Sequence, residues 1–495
     1  MKKIVFYLAA LAFPAAFADT PAPLPAAEPE LHLNTAQPSP FQEESSQPSS
    51  QTDVSQERVI PVDGQVLLNH PELLAQAMGS AVLAQNISGI RQLLPIYRQW
   101  PQHDKELAEF SRAMLAQANG HAADAVGIYR KLIAQKPDSP TIRFKLAQAL
   151  FDNKENEAAA NQFDRLQSEN LSEETLSVIK NYREALRQRD NWQFYAGINI
   201  SRENNINQAP AQRRKGYMLD EPACLEAKQA DPGDNCFRGW TFDAPINATG
   251  IYHQAGAEKK WSLAKGFYIQ AGIDSHGKIY PSYSRYNDLN LRLSAGIGHA
   301  NQRNDIGITP FHERRFYGSH AYSYNNGIRL YWNRWQTPRL QSLAAFEYNR
   351  LNNTQRTHSD TNGKLLSGTL VFHRNASQHW LAGPDFYQER NPDDRSDNFN
   401  LHNLRVAWGQ DWQKGFASRL QLVYGQRRYQ TSSFFSEQQQ RRDKETTASL
   451  SLWHRAVHFG GMTPKLTLSR QRTKSNDQLH EYAKNRVFIE LGKTF

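Results

Sequence analysis

Three groups of residues bring acids, hydroxyls or histidines close enough in sequence to suggest chemistry. His358-Ser359-Asp360 sets a base, a nucleophile and a carboxylate in a row beside Asn362-Gly363, a turn signal. A His and a Ser cooperate in this way in outer-membrane phospholipases, but neighbours in extended chain point to opposite faces, so His358 and Ser359 cannot share one substrate. His312-Glu313-Arg314-Arg315 lacks the second histidine that a zinc-protease helix needs, and it sits in a strand pattern. Asp385, Glu389, Asp393 and Asp394, with His379 nearby, supply the acid and His groups that outer-membrane proteases carry at their outer rim. A charged rim facing lipopolysaccharide accounts for them more simply. With no Gly-rich phosphate loop either, the sequence predicts no enzyme: no catalytic residue, no cofactor and no metal ligand.

Cys224 and Cys236 are the only cysteines, and no His or Cys lies between them. In an oxidising compartment that spacing predicts a local disulfide. Closing a loop of about 13 residues stabilises it by roughly 3 kcal/mol on the chain-entropy model.

That compartment is set by the first residues. Lys2-Lys3 precede an apolar run from Ile4 to Phe13, and Ala16-Phe17-Ala18 offers a small-x-small site, so residues 1–18 read as a signal peptide cleaved after Ala18. The alternative is an uncleaved anchor, although a run of about ten residues is too short to span a bilayer as a helix. Residues 19–60 are rich in Pro, Ser, Gln and Glu without apolar period, as in a disordered lead-in. The net charge is +9 and the isoelectric point near 9.3. An exported chain meets no nucleic acid, and the arginines are scattered through strands, so the basicity reads as lumen lining and lipid-headgroup contact.

Two regular regions follow. Residues 61–190 carry apolar residues at helical spacing, such as Leu67, Leu68, Leu73, Leu74 and Met78. A period of about 34 residues runs through them, the tetratricopeptide period. Ala113 returns as Ala147, Ala125 as Ala159, Tyr129 as Phe163 and Leu132 as Leu166. Small residues let helices approach and the aromatic fills the groove between them; Gly120 and Lys136-Pro137-Asp138 fall at the expected turns. An ordinary helical bundle is the alternative, and either surface suits protein binding better than catalysis.

Residues 191–495 switch to period two. Leu289, Leu291, Leu293, Ala295 and Ile297 share one face while Asn290, Arg292, Ser294 and Gly296 share the other. Trp and Tyr recur at strand ends, where a bilayer has its interfaces. About fourteen such strands predict an antiparallel transmembrane β-barrel following an α-helical domain. With the helices in the periplasm of a Gram-negative cell, the first strand (193–201) runs outward and the last (481–495) returns. Short connections such as 262–266, 335–339 and 411–415 then lie inside. Longer ones, 203–248 with its cysteines, 352–362 and 429–442, lie on the cell surface. The terminal Phe495 is what outer-membrane insertion machinery recognises.

Several stretches carry a resemblance. RENNINQAP at 202–210, GAEKKWSL at 256–263, FHERR at 311–315, YSYNNGIRLYWNRWQTP at 322–338, DFYQERNP at 385–392, SLWHR at 451–455 and the close from Lys484 resemble the surface lipoprotein assembly modulator (Slam) family. The resemblance covers nearly all of the mature chain and is weakest in residues 19–60 and in the loop holding Cys224 and Cys236. It implies translocation of client lipoproteins of the iron- or haem-acquisition type, such as those binding transferrin, lactoferrin or haemoglobin. Some relatives instead export soluble haemophores. The implied partners are those clients, outer-membrane lipids and the insertion machinery, around a monomeric barrel. A gated or passive solute channel with a periplasmic docking domain is the alternative. Acyl chains avoid a polar lumen if they pass along the seam of the first and last strands, where Gly197 and Gly492 reduce rigidity.

Overall fold

The computed structural model describes residues 67–494, apart from residues 168, 170, 355–358, 433–435, 437 and 459–461. The expected signal peptide with its cleavage after Ala18, the lead-in 19–60, His358 and Phe495 lie outside the described residues.

The helical part comprises α1 (Pro71–Leu83), α2 (Ile87–Tyr97), α3 (Lys105–Ala118), α4 (Ala122–Gln135), α5 (Pro140–Asp152), α6 (Asn156–Gln167) and α7 (Glu173–Arg189). Its starts are written locally. The Asp104 carboxylate accepts from the amides of Glu106 (2.8 Å) and Leu107 (3.2 Å), and Ser139 precedes Pro140 at the first turn of α5. Gly120, at φ 77°, turns α3 into α4. All eight residues of the repeat, Ala113, Ala125, Tyr129, Leu132, Ala147, Ala159, Phe163 and Leu166, are buried in one continuous core. Tyr129 meets Phe110 edge-on at 5.4 Å and Phe163 stacks on Tyr182 at 5.0 Å, so the repeated aromatic wedges between successive helices.

After Asp190 the chain enters β1 (Gln193–Glu203), and fourteen strands close into one antiparallel barrel among the described residues. The others are β4 (Ala248–Ser262), β5 (Phe267–Ile279), β6 (Asp288–Ala300), β7 (Asn304–Tyr317), β8 (His320–Thr337), β9 (Leu340–Asn353) and β10 (Thr361–Asn375). They continue with β11 (Gln378–Arg390), β12 (Phe399–Asp411), β13 (Phe416–Ser432), β14 (Gln440–His454), β15 (Lys465–Ser475) and β16 (Tyr482–Thr494). The predicted alternation holds: Leu289, Leu293, Ile297, Ile198, Ile200, Val487 and Ile489 stand exposed on the outside, as a lipid-facing surface must. Among the described residues no helix is long and apolar enough to cross a membrane.

Several turns on the rim that carries the helical domain, the near rim, are tight. Two of them use a Lys-Gly pair at positive φ, Lys265-Gly266 and Lys414-Gly415. Each is followed by an exposed phenylalanine, Phe267 or Phe416, which joins Trp192, Trp261 and Trp412 in an aromatic girdle. On the far rim the excursion between β1 and β4 is the longest. It holds the hairpin of β2 (Arg214–Met218) and β3 (Phe237–Thr241) and the helix α8 (Glu221–Ala230), joined by the Cys224–Cys236 disulfide with Cα atoms 5.1 Å apart.

One expectation fails. Asn362-Gly363 is no turn but the second and third residues of β10. A Cβ at Gly363 would sit 2.3 Å from Asn349 Oδ1 on β9 and 2.9 Å from Tyr387 Oη on β11, so the glycine leaves room for these side chains.

Because Phe163 is fully buried between α5, α6 and α7, Phe163→Ala should destabilise the helical domain by about 3–5 kcal/mol. Far-ultraviolet melting should show the helical transition at lower temperature while the barrel keeps its heat-dependent gel mobility.

Candidate functional site

The barrel closes where its first strand meets its last. β1 pairs with β16 from Tyr195↔Thr494 to Glu203↔Arg486, while Gln193 and Phe194 pair only with Ala257 and Glu258 of β4. Gly197 and Gly492 lie opposite each other on the inward face. At Gly492 an added Cβ would meet nothing nearer than 3.7 Å, so packing does not demand glycine there. At this one register position of the near-rim half the seam therefore has no cross-strand side-chain pair.

The far-rim half is bound tightly. Glu203, with no exposed surface, pairs with Lys484 and accepts from Tyr280 Oη at 3.1 Å. The amide of Asn204 donates to Asn485 O (3.1 Å), and Asn204 Oδ1 accepts from the Asn485 amide. Asn205 Nδ2 donates to Ala483 O (3.3 Å), and the Ala211 amide to Glu481 O (2.7 Å). Residues 203–211 thus form a strap along the start of β16, held at Asn205 by a positive φ of 58°. In the sequence RENNINQAP carries the family resemblance but not this role, for which the one signal is a polar, Asn-rich run directly after a strand.

Inside, the arginines are paired across strands. Arg292 reaches Glu313 (2.8 Å) and Glu347 (3.5 Å), Arg315 reaches Asp288 (2.8 Å), and Arg427 reaches Glu445 (2.8 Å). Arg405, 5% exposed, grips Asp385 through Nε and Nη2 and also donates to Ser367 and Thr369. The basicity read as lumen lining is largely neutralised there. Tyrosine side chains lie over glycines of adjacent strands, Tyr195 over Gly256 and Tyr331 over Gly307, where a Cβ would meet the tyrosine at 2.4 Å.

The groups that sequence inspection singled out for chemistry do not assemble. Ser359 and Asp360 lie in the β9–β10 loop, not in a strand, and Asp360 accepts from Asn352 Nδ2 (2.6 Å) and the Asn353 amide (2.8 Å). Glu313 belongs to Arg292, and His312, on the same strand, pairs with Asn326 at 2.8 Å. Asp385 is no rim charge but the buried partner of Arg405, and Glu389 accepts from Tyr387 Oη. His379 is the second residue of β11, at the near rim, whereas Asp393 and Asp394 lie beyond its other end.

The helical domain is joined to the near rim by polar contacts. α4 has no side-chain cap of its own at His121; Gln302, in the β6–β7 turn, supplies one by accepting from the Ala122 amide at 2.8 Å. The same side chain donates to Gln117 O of α3 (3.3 Å), and Arg303 donates to Asn119 O. Asn156 donates to Ser262 Oγ (2.7 Å), which donates to Asp190 (2.6 Å). These residues had no signal in the sequence, because neither partner is periodic.

A closed strand barrel with an apolar exterior and an N-terminal helical-repeat domain on one rim defines the class: an outer-membrane β-barrel with a periplasmic tetratricopeptide-type domain. Residues 192–495 match the family model described as surface lipoprotein assembly modifier, and residues 60–163 match that of its N-terminal TPR repeats. The chain is 49% identical over 441 residues to surface lipoprotein assembly modifier 1 of Neisseria meningitidis serogroup B, covering 88% of this chain and 86% of that one. It is 38% identical over 470 residues to the surface lipoprotein assembly modifier of Moraxella catarrhalis, covering 94% and 89%. A hemophilin secretion modulator of Acinetobacter baumannii is 21% identical over 441 residues, 86% of each chain. The chain belongs to the surface lipoprotein assembly modifier family, a family of assembly factors rather than enzymes.

One group at the junction makes its stability depend on pH. Burial, reinforced by Arg189, pulls the Lys154 ammonium down to about 8, against the attraction of Asp152 and Asp305. The unfolded chain holds this proton up to about pH 10.4. Between pH 8 and 10.4 the unfolded state therefore binds more protons, and stability rises with pH across that window. The helical transition should melt higher at pH 9.5 than at 7.5, and Lys154→Met should reduce that difference; an unchanged difference would contradict the shift.

Proposed function

We propose that this protein carries lipoproteins of the iron- or haem-acquisition type from the periplasm to the cell surface, and that their acyl chains pass along the β1–β16 seam, which opens from the near rim. Family membership supports the cargo class, and the seam carries the route. A polar lumen is a poor path for acyl chains, since each CH₂ taken from hydrocarbon forfeits roughly 0.8 kcal/mol. The outward face of the seam, with Ile198 and Ile200 beside Ile489 and Val487, is already apolar. The strap from Glu203 to Ala211 holds the far end together as a hinge, while the Gly197–Gly492 end yields.

In this scheme residues 1–18 direct export and are removed after Ala18, Phe495 presents the barrel to the insertion machinery, and the chain works as a monomer without a catalytic step, cofactor or metal. The helical domain receives the client at the rim where the seam opens. A solute channel has no use for such a domain.

Cysteine locks test the route. In a Cys224→Ser, Cys236→Ser background, Ala196→Cys with Lys493→Cys closes the near-rim end, and Arg202→Cys with Val487→Cys closes the strapped end; both pairs are register partners. The near-rim lock should lower surface display of a client lipoprotein about tenfold, roughly 1.4 kcal/mol, until reductant is added, and the far-rim lock should leave it unchanged. Full display through a verified near-rim lock would rule out the seam, and equal blockage by both locks would rule out the hinge.

A further inference from the structure

We infer that the outward face of β13, β14 and β15, toward the far rim, is a binding site for a multiply phosphorylated, multiply acylated lipid of the outer leaflet. Arg428 of β13, Arg442 and Lys444 of β14, and Arg470, Arg472 and Lys474 of β15 are all exposed there. The register sets them on the same face as the lipid-facing Leu420, Leu422, Leu466 and Leu468, because alternate residues of a strand share a side. From the girdle residue Phe416 to Arg428 the strand climbs about 30 Å along the barrel axis, at about 3.4 Å per residue and a tilt of about 40°, past an apolar band of roughly 25 Å. The upper part of the patch therefore stands at the level of the outer headgroups.

Two features separate this patch from scattered headgroup contacts. The first is a sorting of charge by strand parity. Along Arg441-Arg442-Asp443-Lys444-Glu445 the acids point into the barrel, where Asp443 holds Arg441 at 2.7 Å and Glu445 holds Arg427 at 2.8 Å. Arg442 and Lys444 point out, and among the described residues no carboxylate pairs with any of the six outward cations; Arg428 donates to Gln426 of its own strand at 3.2 Å. The second is that like charges stand directly opposite each other, Arg428 against Arg442 and Lys444 against Lys474. Such pairs weaken a ladder, and an anion seated between the members of each pair turns the repulsion into attraction. With strands about 4.8 Å apart and a rise of about 3.4 Å per residue, the two anion positions lie roughly 8 Å from each other, which calls for a headgroup with more than one phosphate.

The occupant is a lipid because the patch runs without a break into the apolar wall. On β15 Leu468 and Leu466 follow Arg470 down the same face, so one molecule meets cations with its phosphates and leucines with its acyl chains. The rest of the wall shows that a barrel rim does not require such a cluster: Ile279, the last residue of β5, and Leu289, the second of β6, stay apolar and exposed at the same rim. In the sequence RRDKE at 441–445 reads as a balanced charged run, and only the alternation of the strand separates its signs.

The test titrates the full-length chain in detergent with bisphosphorylated lipid A, with the same lipid stripped of its phosphates, and with phosphatidylglycerol, and counts bound molecules by native mass spectrometry. Bisphosphorylated lipid A should bind about tenfold more tightly than either of the others. Arg442→Gln with Lys444→Gln and Lys474→Gln should weaken it about tenfold. Arg350→Gln with Lys364→Gln, which removes outward cations of β9 and β10 outside the patch, should leave it unchanged. Heat-dependent gel mobility verifies that each variant is a folded barrel. Binding untouched by the triple substitution, or weakened equally by the β9–β10 pair, would overturn the site. Equal binding of phosphatidylglycerol would overturn the multiply phosphorylated ligand, and displacement of lipid A by millimolar inorganic phosphate would assign the patch to a soluble anion. Binding is read without any transport step, so failure of the transport reading leaves this readout unchanged.

Discussion

In hydrocarbon a strand amide without a partner has no water to fall back on, so a sheet can cross the membrane only if its first and last strands find each other. In this chain that closure joins β1 to β16, nearly 300 residues apart in sequence, through nine register pairs between Tyr195 and Glu203. Everything else is arranged around that one junction. The helical domain leads directly into β1, the strap from Glu203 to Ala211 ties the far end of the ladder, and the two glycines sit toward the end nearest the helices. On the proposed seam route, a barrel that must stay closed to exist yet admit acylated cargo keeps one end of one ladder firm and lets the other end part.

The interior obeys a related constraint. Arginines withdrawn from bulk water into the barrel wall need acids beside them, and removing one partner of such a pair exposes the other to the full desolvation penalty. Arg405 with Asp385, Arg315 with Asp288 and Arg427 with Glu445 meet that need across strands. Their pairing ties β6 to β7, β11 to β12 and β13 to β14. At the near rim the same economy appears at the helix ends, where Gln302 of a barrel turn completes the cap that His121 does not provide.

Much of this was legible in the sequence. The alternation of Leu289, Leu293 and Ile297 with Asn290 and Arg292 marks a strand with one lipid face, and the return of Tyr129 as Phe163 marks the helical repeat. Both patterns are local, and local periodicity survives without knowledge of partners. The count of fourteen strands followed from them. What escaped was set by contacts between distant residues. Gly363 read as a turn because its crowding by Asn349 is invisible along the chain, and Asp385 read as a rim charge because Arg405 lies twenty residues away on the next strand. The strap was present as an unexplained Asn-rich motif, and its meaning required the end strand to be brought beside it.

The account stands or falls on whether this chain alone moves an acylated protein across a bilayer. Full-length protein reconstituted in lipid vesicles with its helical domain outward, supplied externally with an acylated, incompletely folded client, gives the direct measurement through protease protection. The account predicts that a fraction of the client becomes inaccessible to external protease with its acyl chains intact, and that vesicles holding an unrelated barrel show none. Equal protection in both, or a client that remains wholly digestible beside a correctly folded barrel, would contradict it.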